Sequence, residues 1–255
     1  MVGGLFVNCA GRGPRVVLLH GGVLAGELCW SRQLQLADRF ALEIVDRAGY
    51  GRSQQTSPGE DLDADAPLVA GLLTEPAHLV GHSSGAVAAM LAAALRPEGV
   101  LSLTLCEPPT FQLAPGSAQA QQMVRDLEEH LHRPGDDAQW LRGFLEIIGR
   151  DVVIPDQLPP PLARGVRAIR AVRRRPWEGE LPVGRLAAAS FPKLVISGNH
   201  SPAFEAVCDA LAARLKAQRA HVSGADHATP DTGDAFNETL EAFISAAPHR
   251  TASAC

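Results

Sequence analysis

The sequence predicts an α/β fold: a doubly wound, mostly parallel sheet with an inserted helical cap. Three observations point there. Short, continuously apolar runs recur along the 255 residues, the pattern of strands covered on both faces. Helical patterns separate most of them. The stretch 110–190 breaks the alternation, carrying helical patterns and no convincing strand.

The first strand-like runs are Leu5–Val7 and Val16–His20. A helix over 28–39 leads to the run Leu42–Asp46, and a helix over 64–74 to Ala77–Gly81. An alanine-rich helix over 84–96 precedes the run Leu101–Cys106. Helical patterns then follow near 117–132, 136–149 and 162–175, punctuated by Pro159, Pro160, Pro161 and Pro176. The sheet resumes with Pro192–Gly198, a helix over 203–217, the run Arg219–Ser223 and a last helix over 233–246. The expected organisation is a core of residues 1–109 and 191–255, with 110–190 as a helical cap.

Composition narrows the function. Lys and Arg number 23 against 28 Asp and Glu, so a net charge of −5 gives no overall electrostatic case for nucleic acid or acidic membranes. The longest near-unbroken apolar run, Gly85–Leu95, is too short to span a bilayer. The first residues lack a basic stretch followed by an apolar one, so a cytoplasmic protein without a secretory signal is expected. Cys9, Cys29, Cys106, Cys208 and Cys255 make an odd count with no CxxC pair; neither a disulfide framework nor a zinc site is expected. Cys106 reads as a small buried hydrophobe. Arg164, Arg167, Arg170, Arg173, Arg174 and Arg175 form a basic run within the cap. It reads as a solvated helix face; an anion-recognising cap is the sharper alternative, which nothing else in the chain supports.

The strongest chemical signal is Gly81-His82-Ser83-Ser84-Gly85, which follows a strand and opens a helix. This G-x-S-x-G turn needs nearly side-chain-free positions two residues either side of the serine, because the turn is sharp and strained. It predicts Ser83 as a nucleophile at a strand's carboxyl end. Upstream, His20-Gly21-Gly22-Val23 follows another strand, and the Gly22 N–H with that of Ser84 would make a two-donor oxyanion hole. Asp46-Arg47-Ala48-Gly49-Tyr50-Gly51-Arg52-Ser53 reads as a structural loop near the site's edge, with Asp46 a local hydrogen-bond acceptor. Of nine histidines, His227 stands out by position, in a loop that leaves the last strand before the final helix. His200, His221, His78 and His82 are weaker candidates. His20 and His82 are expected to line the cleft, and His130, His132 and His249 to lie on the surface.

Together HGG at 20–22, DRAGYGRS at 46–53, GHSSG at 81–85, PKLVISG at 192–198 and GADH at 224–227 resemble the capped α/β-hydrolases over essentially the whole chain. The resemblance implies a serine, acid and histidine beneath a helical lid, in the chain order Ser…acid…His. It departs in one place. Members commonly carry an aspartate three residues after the glycine that ends the penultimate strand; here Gly198-Asn199-His200-Ser201-Pro202 puts Ser201 in that slot. Ser201-Pro202 reads instead as a helix N-cap with proline at the first helical position. Asn199 could orient a histidine but would stabilise imidazolium poorly. The superfamily's second location for the acid, the end of the strand after the elbow helix, is occupied by Glu107. Serine lactonases of the zearalenone type are similar in using a glutamate there. The resemblance thus implies Ser83–Glu107–His227, with an exposed pre-proline carboxylate as the alternative reading of Glu107.

The expected activity is hydrolysis of a carboxylic ester or lactone of a medium-sized hydrophobic molecule through an acyl-enzyme. His82, Trp140, Phe144 and Trp177 are the expected substrate contacts. No cofactor or metal is called for; a small molecule is the expected partner, and the chain a monomer or homodimer. Two alternatives stay open: the same triad acting on a C–C or amide bond or in a lyase or cyclase step, and a homologue that only binds a ligand.

Overall fold

A computed structural model describes residues 3–247. Seven strands form one sheet: β1 (Phe6–Ala10), β2 (Arg15–Leu19), β3 (Ala41–Asp46), β4 (Ala77–His82), β5 (Val100–Cys106), β6 (Lys193–Ser197) and β7 (Gln218–His221). Their order is β1-β3-β2-β4-β5-β6-β7, with β1 antiparallel to β3 and every other pairing parallel. The continuous apolar runs are explained by burial on both faces. Val17, Leu19, Leu79, Leu103, Leu105 and Val195 belong to one core, while Val16, Leu18, Val80, Cys106, Leu194 and Ile196 belong to the other.

The first core is closed by α2 (Leu62–Leu72), α3 (Ser84–Leu95), α7 (Val183–Ala188) and α8 (Pro202–Leu215); the second by α9 (Asp234–Ala246) and a 3₁₀ segment, Ser31–Asp38. The helix expected over 28–39 is instead α1 (Gly26–Cys29) followed by that 3₁₀ segment. Here Trp30 and Leu36 are buried while Leu28 and Leu34 are exposed, so the apolar residues do not share one α-helical face.

Between β5 and β6 lie α4 (Ala118–Leu131), α5 (Asp137–Ile147), α6 (Pro160–Arg170) and α7, with no strand in the segment. The short α7 was not anticipated. Helix α6 stops at Arg170, short of the expected 175. The Glu60 N–H takes the Ala168 carbonyl, and the Val172 N–H turns back to Ile169, which tightens the last turn. Arg164, Arg167 and Arg173 of the arginine run are exposed, as expected of a solvated face, but most of the run is paired: Arg167 and Arg170 with Asp137, Arg174 with Asp63 and Arg175 with Glu178, while Arg164 donates to the Gly51 carbonyl.

Strand order reverses between β2 and β4, opening a crevice beyond their carboxyl ends. The tight crossing of α3 over this point depends on missing side chains. A Cβ at Gly85 would stand 2.2 Å from the His20 carbonyl oxygen and 2.5 Å from that of Leu19, and one at Gly81 would stand 2.4 Å from the Gly85 oxygen. Cys29, Cys106 and Cys208 are buried free thiols, whereas Cys9 is disulfide-bonded, a bond the odd cysteine count did not suggest. Cys255 and His249 lie outside the described residues. Among the described residues no helix is long and apolar enough to cross a membrane.

Because the atoms facing Gly85 are backbone, Gly85→Ala is expected to cost about 3 kcal/mol. Urea unfolding should show a lower midpoint with an unchanged slope.

Candidate active site

Ser83 joins β4 to α3 with φ 52° and ψ −127°, outside the regions an L-residue prefers. Two main-chain hydrogen bonds hold it there: its N–H donates to the Cys106 carbonyl (2.8 Å), and its carbonyl accepts from Ala86 (2.9 Å). The hydroxyl is thereby placed 3.0 Å from His227 Nε2. His227 Nδ1 lies 3.3 Å from Glu107 Oε2. Serine, imidazole and carboxylate therefore form one chain, drawn from the end of β4, the loop after β7 and the end of β5.

Glu107 is fully buried and also has a positive φ, 48°. Its N–H extends the sheet ladder to the Ile196 carbonyl (2.9 Å) before the backbone turns. Both carboxylate oxygens are engaged: Oε1 accepts from the Gly198 N–H at 2.7 Å, and Oε2 accepts from His200 Nε2 at 3.1 Å besides His227. Burial alone would push this carboxyl upward. The hydrogen bonds from His200 and His227 outweigh it and lower the pKa to about 2, so the group is an anion at neutral pH. Ligand atoms of Glu107, His200 and His227 lie within 4.8 Å of one another, a spacing that could hold a cation. Hydrogen bonding already accounts for both contacts to Glu107.

The His227 ring rests on Phe204 (centroids 4.6 Å apart), and its carbonyl accepts from His82 Nε2 at 2.9 Å. The neighbouring Asp226 is bound by Arg150 Nη1 at 2.9 and 3.1 Å, and Arg150 also reaches Asp231. An arginine from the segment between α5 and α6 thus fastens the loop that carries the imidazole.

Two cavities meet at Ser83, both bounded by Gly22, Phe144, Ile148 and His227. One, with an empty volume of about 600 Å³, is walled by apolar groups including Phe111, Leu127, Ile169, Trp177 and Phe204. The other, of about 930 Å³, is reached by His82, Cys29, Arg150 and Asp231 among apolar neighbours such as Leu141 and Leu162.

A profile of the alpha/beta hydrolase family matches residues 16–246. The chain belongs to that family. A pimeloyl-[acyl-carrier protein] methyl ester esterase from Methylococcus capsulatus is 40% identical over 119 residues, 44% of each chain. One from Aeromonas hydrophila is 32% identical over 183 residues, 70% of this chain and 66% of its own. The chain thus spans 44% and 66% of the length of these two relatives. Among solved structures, an esterase from Exiguobacterium antarcticum superposes with a TM-score of 0.70 at 21% identity, covering 95% of this chain and 96% of that one, a likeness of fold.

Within this alpha/beta hydrolase, the structure brings Ser83, His227, Glu107, Gly22 and Ser84 to one rim, with His82, Phe144 and Trp177 on the cavity walls. Trp140 is elsewhere: its ring stacks behind Phe144 (5.3 Å), and its indole N–H donates to the His130 carbonyl. His130 is buried rather than on the surface, its Nε2 donating to the Trp140 carbonyl. Each side chain thus hydrogen-bonds the other residue's main-chain carbonyl, which leaves His130 Nδ1 buried without a hydrogen-bond partner. His20 does not line either cavity, because Arg47 and the Gly21 carbonyl occupy both its ring nitrogens. Ser201 sits at the N-cap position of α8, but its hydroxyl makes no cap hydrogen bond. Exposed Asn199 gives its N–H to Glu205. Phe204 and Arg150 were missed as site residues, while His200, a weaker candidate for the base, is found as a donor to Glu107 from the loop that lacks the usual aspartate.

Burial, with His227 beside it, keeps His82 neutral and lowers its pKa to about 3 from an ordinary 6.5. Below 6.5 the unfolded chain takes up a proton that folded His82 refuses, so stability falls as pH drops from 6.5 toward 3. Between about pH 7.5 and pH 5 this one group should cost about 2 kcal/mol. His82→Gln is expected to lose that much of the wild type's acid sensitivity in urea titrations at the two pH values.

Proposed function

We propose that this alpha/beta hydrolase is a serine carboxylic-ester hydrolase using Ser83, His227 and Glu107 as its triad. The hydrogen-bonded chain from the Ser83 hydroxyl through His227 to Glu107 carries the reading. The names of its relatives, methyl ester esterases, agree with it. His227 Nε2 accepts the hydroxyl proton as Oγ attacks the ester carbonyl carbon. The N–H groups of Gly22 and Ser84 hold the oxygen that becomes negative. Glu107 stays ionised, fixes the proton on Nδ1 and offsets the imidazolium charge. The imidazolium then passes its proton to the departing alkoxide as the C–O bond breaks. Water, deprotonated by His227, releases the acid and restores the serine.

The two cavities favour an open-chain ester over a lactone. An ester sends its acyl and alkoxy parts in different directions from the carbonyl, whereas a lactone joins them in one ring. The apolar walls of the smaller cavity suit a hydrocarbon group of medium size. The segment 110–190 serves as a lid, since Phe111, Leu127, Phe144, Ile169 and Trp177 wall these cavities.

A fluorophosphonate probe should label the wild type and fail on Ser83→Ala and His227→Ala. Glu107→Gln keeps the side chain's size but loses the anion, so kcat on p-nitrophenyl esters should fall about 10⁴-fold. Wild-type kcat in Glu107→Gln would remove Glu107 from the triad.

A further inference from the structure

The Ser–His–Glu chemistry makes no use of Arg47, a fully buried cation in the loop after β3. Its planar guanidinium spends its donors on His20 and Gly21, on Ser84 and on two carboxylates. Nε donates to the His20 carbonyl at 2.9 Å. Nη2 donates to the Gly21 carbonyl at 3.1 Å and to Ser84 Oγ at 3.0 Å. Its charge is matched by Asp65 (2.9 Å from Nη1) and Glu60 (3.3 Å from Nη2). Its main-chain N–H donates to His20 Nε2 at 2.9 Å, and His20 Nδ1 donates in turn to the Gly21 carbonyl at 2.6 Å.

The Gly21 carbonyl and the Gly22 N–H belong to one peptide unit. There are no cis bonds among the described residues, so this unit is trans and the two groups point in opposite directions. Whatever holds the carbonyl therefore aims the N–H. Arg47 and His20 both hold that oxygen, which directs the Gly22 N–H away from them. The second donor is controlled differently. Ser84 opens α3, where main-chain N–H groups lack partners within the helix. Its hydroxyl is fixed by Arg47 and donates to Glu60 Oε2 at 3.3 Å. One guanidinium thus grips the peptide unit that carries the Gly22 N–H, through the Gly21 carbonyl, and the side chain of Ser84.

We propose that Arg47 is a positioning residue that sets the spacing and aim of the two oxyanion donors, Gly22 and Ser84. The proposal rests on the hydrolase reading of Ser83. A lysine could supply the charge at this place but not the fork, which reaches His20, Gly21 and Ser84 together. Arg47 acts through the Gly21 carbonyl and the Ser84 hydroxyl and lines neither cavity, so its effect belongs to the transition state, where the oxygen carries charge.

Arg47→Lys is the decisive variant because it leaves Glu60 and Asp65 with a cation. Kinetics on a p-nitrophenyl ester should show kcat lowered about 10- to 100-fold. KM should stay within about twofold, and affinity for a trifluoromethyl ketone, which forms a tetrahedral adduct with serine, should fall in parallel with kcat. A merely structural ion cluster would lower the melting temperature without separating kcat from KM. A folded Arg47→Lys protein with wild-type kcat and ketone affinity overturns the proposal. Should that variant fail to fold, Ser84→Ala cuts the guanidinium–hydroxyl link and removes no charge; kcat should fall about fivefold or more. An unchanged kcat there is equally fatal. Failure of the hydrolase reading would show separately, as a wild type that the fluorophosphonate does not label. The amide resonances of Gly22 and Ser84 still test Arg47 in that event: both should shift in Arg47→Lys, or in Ser84→Ala at Gly22, and static signals overturn the proposal.

Discussion

The architecture of the site depends on how closely a helix can approach the end of a sheet. Ser83 occupies a backbone conformation that free serine avoids, and it is held there by neighbours on both sides. The hold works because Gly85 lies against the carbonyls of Leu19 and His20, and Gly81 against Gly85. The same closeness brings the start of α3 beside the Gly21–Gly22 loop. The serine's exposure to the crevice and the nearness of two backbone donors are thus one packing event. Alanines at 86, 88, 89, 92 and 93, all buried, continue that close contact along the helix.

The second dependence is electrostatic. A fully buried carboxylate is costly unless its oxygens are hydrogen-bonded, and Glu107 has three donors: the Gly198 N–H, His200 and His227. His200 comes from the loop where family members commonly place the aspartate. In this chain that loop supplies a hydrogen-bond donor to the Glu107 carboxylate. The departure from the family pattern is therefore a rearrangement within one local network, and the imidazole still meets an anion.

The sequence was most readable where short-range patterns decide the outcome. Both-face burial produced the apolar runs of β2 to β6, and G-x-S-x-G needs only five residues to mark a turn. Ser83 and His227 followed from their places after strands. Glu107 followed only through resemblance, since nothing local tells a buried carboxylate from a solvated one before two prolines. Trp140 and His130 were misplaced for a related reason: their mutual hydrogen bonds join different helices. Arg47 looked like an ordinary loop residue because Glu60 and Asp65, which make its burial tolerable, follow it by 13 and 18 positions. The mismatch over 28–39 came from reading apolar content without a consistent helical face.

His227 and Ser83 are 144 residues apart in the chain, and His227 and Glu107 are 120 apart. Contacts so distant close only after the strands between them have found their order, which makes them slow to form and dependent on the whole sheet. On the proposed mechanism, catalysis would thus be a collective property of the assembled sheet, because the three groups meet only when the ends of β4 and β5 and the loop after β7 share one edge.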